Sequence, residues 1–297
     1  MPKFSQRVIW RIEALAYDLI SALAALVPFS AASSFGGWLL RLIGPLTSKH
    51  HVARTNIKIA FPEISDVALT QLLKDQWDNC GRTFVEFLAL HRLKAFGPKS
   101  CISVEGLEKL TANNPAVLFS GHFANWEIMA LVMTQAGLPV QITYRKINNP
   151  YIDARVRSKR EAYGTKLLVQ KSGVKGAREL IESIDRGESV AILNDQKFNE
   201  GISLPLFSEE AMTATGAVRL ALKTGRPLIP TSVTRTGASF HMIVHDPIEL
   251  DDTGARNDDT KAGVLKINKF LEARIKEKPE NWFWVHRRWP KPLYKKT

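Results

Sequence analysis

Cysteine is nearly absent from this chain. There are two, Cys80 and Cys101, with no C-x-x-C pair. That excludes a disulfide framework and a cysteine-built zinc site, leaves both as core or surface thiols, and makes a reducing compartment the default. Acid is in deficit too. Against 41 Lys and Arg stand 29 Asp and Glu, for a net charge of +12. An excess of this size points to an anionic partner: nucleic acid, an anionic membrane, or an acidic substrate or carrier. The basic residues come with no zinc-finger spacing and no RNP-like signature, so no nucleic-acid partner is expected and a membrane ranks above it. Repeats and low-complexity segments are also missing. The 45% hydrophobic content is too low for a multi-span transporter. It suits a folded chain long enough for one large α/β domain or two small ones.

Charge is missing altogether between Asp18 and Arg41. A membrane-spanning helix needs about 20 mostly apolar residues, and this run has the length. Pro28 and Gly36-Gly37 break it. The expectation is therefore two shorter apolar helices forming a membrane-embedded or interfacial hairpin. A signal peptide competes, since Lys3, Arg7 and Arg11 precede the run, but Glu13 and Asp18 sit awkwardly in one. A buried pair of core helices is the third reading. On this basis residues 1–47 are read as an N-terminal membrane-anchoring region and 48–297 as a single α/β domain.

What is present in quantity is alternation. Residues 48–94 read as helical, with Ser65-Asp66 as a cap before Val67, Leu72, Leu73, Trp77 and Cys80 at helical spacing. Beyond residue 100, strands are expected at 116–120, 139–144, 166–170, 189–194, 228–234 and 239–248. Helices are expected at 125–137, 151–162, 173–186, 212–224 and 260–278. The segments 196–211 and 251–260 read as mobile loops. Such alternation predicts an α/β sandwich with a largely parallel sheet, with the site beyond the carboxyl ends of its strands. His122, Arg145 and Asp195 all follow such ends.

The sharpest local signal is Ala116-Val-Leu-Phe-Ser-Gly121-His122-Phe-Ala-Asn125-Trp126-Glu127. An apolar run ends at a glycine, a histidine follows, and a carboxylate lies five residues on. Spacing by itself is weak, because His241 and Asp246 repeat it. Those two belong to a strand, where an odd separation puts side chains on opposite faces. Five residues is also an awkward offset along one helix. His122 and Glu127 can meet only if the first lies in a turn, which Gly121 permits, and the second in the first turn of a helix capped by Asn125. An anionic Glu127 would then fix the ring's tautomer and leave its other nitrogen free to take a proton from a hydroxyl. The alternative is a satisfied histidine at a helix start.

Basic residues cluster as well. Ten of them lie between Arg145 and Arg178, against only Asp153 and Glu161. Arg145 and Arg160 are candidates for binding substrate anions or a thioester oxyanion, with a surface salt bridge as the alternative. Asp195 and Gln196, at a strand end, could order a basic residue or an acceptor sugar, or could simply cap the strand. Trp282, Trp284 and Trp289 read as core or interfacial anchors. His286, beside Arg287, is disfavoured as a base because neighbouring cations lower its pKa.

Taken in order, these blocks resemble a known family. His122 to Glu127 resembles the H-x4-D/E motif of glycerolipid-type acyltransferases. More specifically, the chain is similar to the late acyltransferases of lipid A biosynthesis. The blocks that carry this are His122-Phe-Ala-Asn-Trp-Glu127, Tyr144-Arg145-Lys-Ile-Asn-Asn-Pro-Tyr151, Asn194-Asp195-Gln196, Leu204-Pro-Leu-Phe207, Thr213-Ala-Thr-Gly216 and Trp282-Phe-Trp-Val-His-Arg-Arg-Trp289. They cover nearly the whole chain. The resemblance implies a glycerolipid-acyltransferase-like sandwich, a largely parallel mixed sheet flanked by helices. It implies an enzyme at the cytoplasmic face of the bacterial inner membrane. Its donor would be an acyl-acyl carrier protein, and its acceptor a hydroxyl of a Kdo-lipid IVA-type lipid A precursor. His122 and Glu127 would be the catalytic dyad, with Arg145, Arg160, Asp195 and Gln196 as substrate-binding candidates and no metal or other cofactor. With no G-x-S-x-G elbow, direct transfer is simpler than an acyl-enzyme. Glycerophosphate or lysophosphatidate acyltransferases are the alternative, but they favour Asp at the position of Glu127 and an E-G-T-R block that does not occur here. A basic lipid-binding membrane protein without catalysis is the reading from a different class.

Overall fold

The computed structural model describes residues 4–144, 146–169 and 173–295. Helices α1 (Phe4–Leu26), α2 (Phe29–Ile43), α3 (Ser48–Ala60) and α4 (Asp66–Ala89) come first. Ser65 caps α4, its hydroxyl accepting the Ala68 N–H. Leu72, Leu73, Trp77 and Cys80 are buried as their spacing predicts, whereas Val67 is exposed. Burial pushes the Cys80 thiol up to about 12.

Strands and helices then alternate: β1 (Ile102–Glu105), α5 (Leu107–Ala112), β2 (Val117–Ser120), α6 (Glu127–Gln135), β3 (Val140–Tyr144), α7 (Pro150–Ala162), β4 (Lys166–Val169), α8 (Gly173–Asp185), β5 (Ser189–Leu193), β6 (Ile202–Leu206), β7 (Glu209–Thr213), α9 (Gly216–Thr224), β8 (Leu228–Thr236), β9 (Ser239–Val244) and α10 (Arg256–Glu277). Seven strands make one sheet in the order β1-β9-β8-β2-β5-β3-β4. The five from β8 to β4 run parallel, and β9 turns back antiparallel to β8. This is the expected mixed, largely parallel α/β sheet.

The central strand β2 is buried on both faces, as a parallel strand covered by helices must be. Val117 and Phe119 point into a core built with α3, α4, α9, α10 and the C-terminal tryptophans. Leu118 points into a second core with α6 and the inner face of β8 and β9. Trp282, Trp284 and Trp289 are all core residues.

Besides the segment 251–260, whose second half is the start of α10 rather than a loop, two sequence expectations change. The segment 196–211 is not an open loop: β6 and β7 pair within and beyond it as an antiparallel hairpin whose Leu204, Leu206 and Ala211 are buried. Pro205 interrupts the alternation and masks it, although an edge strand tolerates proline. The hairpin also delays the next helix, which starts at Gly216 rather than 212. The second change concerns Gly36-Gly37. The chain breaks at Pro28, but α2 runs straight through the two glycines. A Cβ on Gly36 would lie 2.5 Å from the Gly81 carbonyl oxygen, and one on Gly81 would lie 2.0 Å from that of Gly36. The glycines let α2 and α4 touch backbone to backbone.

Among the described residues no helix is long and apolar enough to cross a membrane. Helix α1 buries only Ala14 and Ala24. Its Glu13 accepts from Asn149, and its Asp18 pairs with Arg155, both at α7. The opposite side exposes Phe4, Ile12, Leu15, Leu19, Leu23 and Leu26, and α2 adds Phe35, Trp38 and Leu42. Monomeric soluble proteins rarely expose an apolar face of this extent.

Candidate active site

The site is built where β2 and β5 end. They are parallel neighbours with Ser120 opposite Leu193, and the Asn194 N–H continues the ladder to the Ser120 carbonyl at 2.8 Å. Two residues further, the same register brings His122 level with Asp195. His122 Nδ1 lies 2.7 Å from Asp195 Oδ1. Asp195 Oδ2 accepts the His122 backbone N–H at 2.8 Å and the Trp282 indole N–H at 2.8 Å. Three donors therefore converge on one carboxylate that is 3% exposed. Burial works to raise its pKa. The attraction of His122 and the three N–H bonds, from its ring, its backbone and Trp282, overcome that and hold the carboxyl well below the usual range.

An ionised Asp195 is an acceptor only, so Nδ1 carries the proton and Nε2 bears the lone pair. The Gln196 side-chain amide sits 3.3 Å from Nε2, as a donor to that lone pair. The ring is wedged against Trp126, with centroids 4.7 Å apart.

Glu127 is not the partner of this ring. It lies in the first turn of α6, where sequence places it, but its carboxylate faces the other way. Arg160 of α7 donates to both oxygens, from Nε at 3.0 Å and from Nη2, and the Tyr163 hydroxyl donates at 3.0 Å. Burial alone would raise the Glu127 pKa; Arg160 and Tyr163 outweigh it and hold the carboxyl low. Asp195 has taken the orienting position because strand pairing delivers it to Nδ1, while α7 supplies Glu127 with a cation. The same pairing corrects Arg160. Its guanidinium is neutralised by Glu127 and packs by the Tyr144 and Phe87 rings, so it is a wall of the site rather than a free anion ligand. Arg145 lies outside the described residues.

The turn between His122 and Glu127 also differs in detail from expectation. Gly121 has no left-handed torsion. A Cβ there would meet the Phe123 ring at 2.7 Å. The left-handed residue is Ala124, at φ 45°. Asn125 Oδ1 accepts the Glu127 N–H at 3.2 Å, closing the turn into the helix as its side chain predicts. His241 and Asp246 do not meet. The first contacts Ser103 and Glu105, the second Lys109. His286 has a lowered pKa, with burial as the largest cause and Lys49 and Arg288 adding to it.

One apolar cavity opens on this constellation, and a second shares part of its wall. One, of about 270 Å³, is lined by His122, Met129, Met133, Ile142, Leu193 and Gln196 among others. The other, of about 880 Å³, runs between the α1–α2 hairpin and α4, past Ile20, Leu23, Phe35, Leu39 and Phe84. Trp126, Glu127, Val156 and Arg160 line both, and His122 lines the smaller one.

Sequence reasoning had Asp195 and Gln196 as a strand-end acid–amide pair but had no register to put them on His122. Trp282, read as a core or interfacial anchor, donates to Asp195. Its place in the last block of the chain carried no hint of that bond.

The family model for bacterial lipid A biosynthesis acyltransferases matches residues 1–291. The chain is 25% identical to the lipid A biosynthesis lauroyltransferase of Escherichia coli (strain K12), over 95% of this chain and 88% of that protein. It is 26% identical to the lipid A biosynthesis palmitoleoyltransferase of the same organism, over 82% and 79%. Among solved structures, the 1-acyl-sn-glycerophosphate acyltransferase of Thermotoga maritima aligns with 89% of this chain and 98% of its own at 13% identity, with a TM-score of 0.37, too weak a likeness to assign any residue. A histidine held by a buried carboxylate in an apolar cavity, in a chain that the family model matches over residues 1–291, makes this protein a member of the bacterial lipid A biosynthesis acyltransferases, an enzyme of the acyltransferase class acting in lipid A biosynthesis.

Proposed function

We propose that this enzyme moves a fatty acyl chain from an acyl-acyl carrier protein to a hydroxyl of a Kdo-lipid IVA-type precursor. His122 is the general base. Its Nε2 takes the hydroxyl proton as the hydroxyl oxygen attacks the thioester carbonyl. The C–S bond then breaks, and the leaving thiolate recovers the proton from the imidazolium. Asp195 holds the tautomer that makes this possible and stabilises the imidazolium formed in between. Gln196 occupies the place of the incoming hydroxyl and gives way to it. Glu127 is a member of the site through Arg160, which it keeps in place between the two cavities. Arg145 remains the candidate for an acceptor phosphate or the thioester oxyanion.

The observation that carries this reading is an apolar cavity lined by His122 itself, with a larger apolar cavity sharing its Trp126, Glu127, Val156 and Arg160 wall. Two apolar spaces that share a wall beside one base suit a transfer between two chain-bearing molecules. The exposed apolar faces of α1 and α2 support a location on a membrane surface. With the basic excess, that surface is proposed to be the anionic cytoplasmic face of the inner membrane. There the acidic carrier protein can dock on the same positive field.

Incubating purified protein with acyl-acyl carrier protein and Kdo-lipid IVA, and weighing the lipid product by mass spectrometry, tests the proposal. A mass increase of one acyl group, lost in His122→Ala, is expected. Normal transfer by His122→Ala would refute the base. Acylation of lysophosphatidate in place of the disaccharide would refute the acceptor.

A further inference from the structure

The turn that presents His122 is held by groups remote from the reacting atoms. Ala124, at φ 45°, is an L-residue in a region such residues rarely adopt, and it is fully buried. Its two peptide groups are gripped from opposite sides. On one side its N–H donates to the Asn281 carbonyl at 2.7 Å. On the other its carbonyl accepts the Thr83 hydroxyl, from α4, at 2.8 Å.

The Thr83 hydroxyl is itself aimed. Arg235 Nη2 donates to its oxygen at 3.0 Å. Arginine has no acceptor, so the hydroxyl proton is left to point at the Ala124 carbonyl. Arg235 is in turn locked in place by a bidentate pair with the fully buried Glu86 and by a 2.8 Å bond from Nε to Asn79. Glu86 also reaches the turn directly, accepting from Asn125 Nδ2 at 3.0 Å, and reaches α2 through Ser33 at 2.6 Å. A buried ion pair with this many satisfied partners is a geometric device rather than a source of stability.

We infer that Thr83, oriented by the Glu86–Arg235 pair, is a positioning residue for acyl transfer. Its hydroxyl holds Ala124 left-handed, and that conformation sets the direction in which His122 leaves the end of β2 and meets Asp195. Thr83 does not line the cavity that holds His122, although it lines the larger apolar one beside it. It acts through the Ala124 carbonyl alone. The inference rests on His122 being the base.

Two isosteric or near-isosteric variants separate positioning from packing. Thr83→Val keeps the volume and loses the hydroxyl. Thr83→Ser keeps the hydroxyl and loses a methyl. In full-length purified enzyme, Thr83→Val should lower kcat by roughly tenfold or more, with KM for donor and acceptor each within about twofold. Thr83→Ser should recover most of kcat. A packing role predicts the reverse order, so a Thr83→Val enzyme as active as the parent, or a Thr83→Ser enzyme as impaired as Thr83→Val, overturns the inference. Adding Ala124→Gly to Thr83→Val gives a second arm. Glycine adopts this torsion freely, so it should restore part of kcat and also folding if the single variant is unstable. No recovery in the double variant counts against the mechanism. Activity in His122→Ala would defeat the underlying base assignment instead, so the two failures are distinct.

Discussion

Replacing Asp195 by Asn is the most direct probe of the site. The new side chain is nearly the same size, and its oxygen can still accept the His122 and Trp282 N–H groups that now bond Oδ2. That leaves the amide nitrogen facing Nδ1, 2.7 Å away in the parent. An NH₂ group is a donor, so Nδ1 must become an acceptor and the imidazole proton must move to Nε2. The base then shows its proton, not its lone pair, to the incoming hydroxyl. A serine protease triad treated this way loses about 10⁴ in kcat. Here the acceptor is a hydroxyl and Gln196 can also rearrange, so a fall of about 10² to 10⁴ is expected, or roughly 3 to 5 kcal/mol of barrier. Steady-state kinetics with saturating lipid acceptor and carrier-bound donor would measure it. Glu127→Gln is the paired control. It breaks up the Arg160 contact and should reduce transfer less, because the His122 tautomer is untouched. Asp195→Asn within about threefold of the parent, with Glu127→Gln inactive, would refute the reasoning and return the orienting role to Glu127.

Acid should destabilise the fold through both carboxylates. Their folded pKa values lie below the unfolded ones, so the unfolded chain takes up these protons first. The stabilisation is complete above about pH 5 and is lost as pH falls through the folded values. Urea midpoints measured from neutral to acid pH should drop over that interval, and drop less in Glu127→Gln. Gly81→Ala should loosen α2 from α4, since its Cβ would sit 2.0 Å from the Gly36 carbonyl oxygen. A loss of about 1 to 3 kcal/mol is expected in chemical denaturation, and an unchanged midpoint would mean the helices separate freely. The apolar face of α1 and α2 should keep the protein on anionic vesicles through a high-salt wash, because salt does not screen apolar burial. Complete release in a sedimentation assay would assign binding to the basic residues alone. His241→Ala should leave activity within about twofold, as its contacts are Ser103 and Glu105 at the opposite edge strand.

Local pattern determined most of the architecture. Apolar runs ending in glycine or polar residues marked all five parallel strands to within a residue or two at most ends. Ser65 and Asn149 cap the helices they precede. The Pro28 break, the place of Glu127 in the first turn of α6 and the separation of His241 from Asp246 all follow from rules that act within a few residues. The ordered blocks also carried the family. Tertiary structure decided who meets whom. Asp195 lies 73 residues from His122 and reaches it only because β2 and β5 are parallel neighbours in a particular register. Glu127 lies near His122 in sequence, yet α7 brings Arg160 and Tyr163 to claim it. Gly36 and Gly37 look like helix breakers until α2 is laid against Gly81 of α4. Thr83, Glu86 and Arg235 carry no mark in sequence, being single residues on an amphipathic helix and a strand. Spacing can fix a side chain's place on its own element, but a hydrogen bond is short and directional, and between elements only the packed fold brings donor and acceptor within its reach.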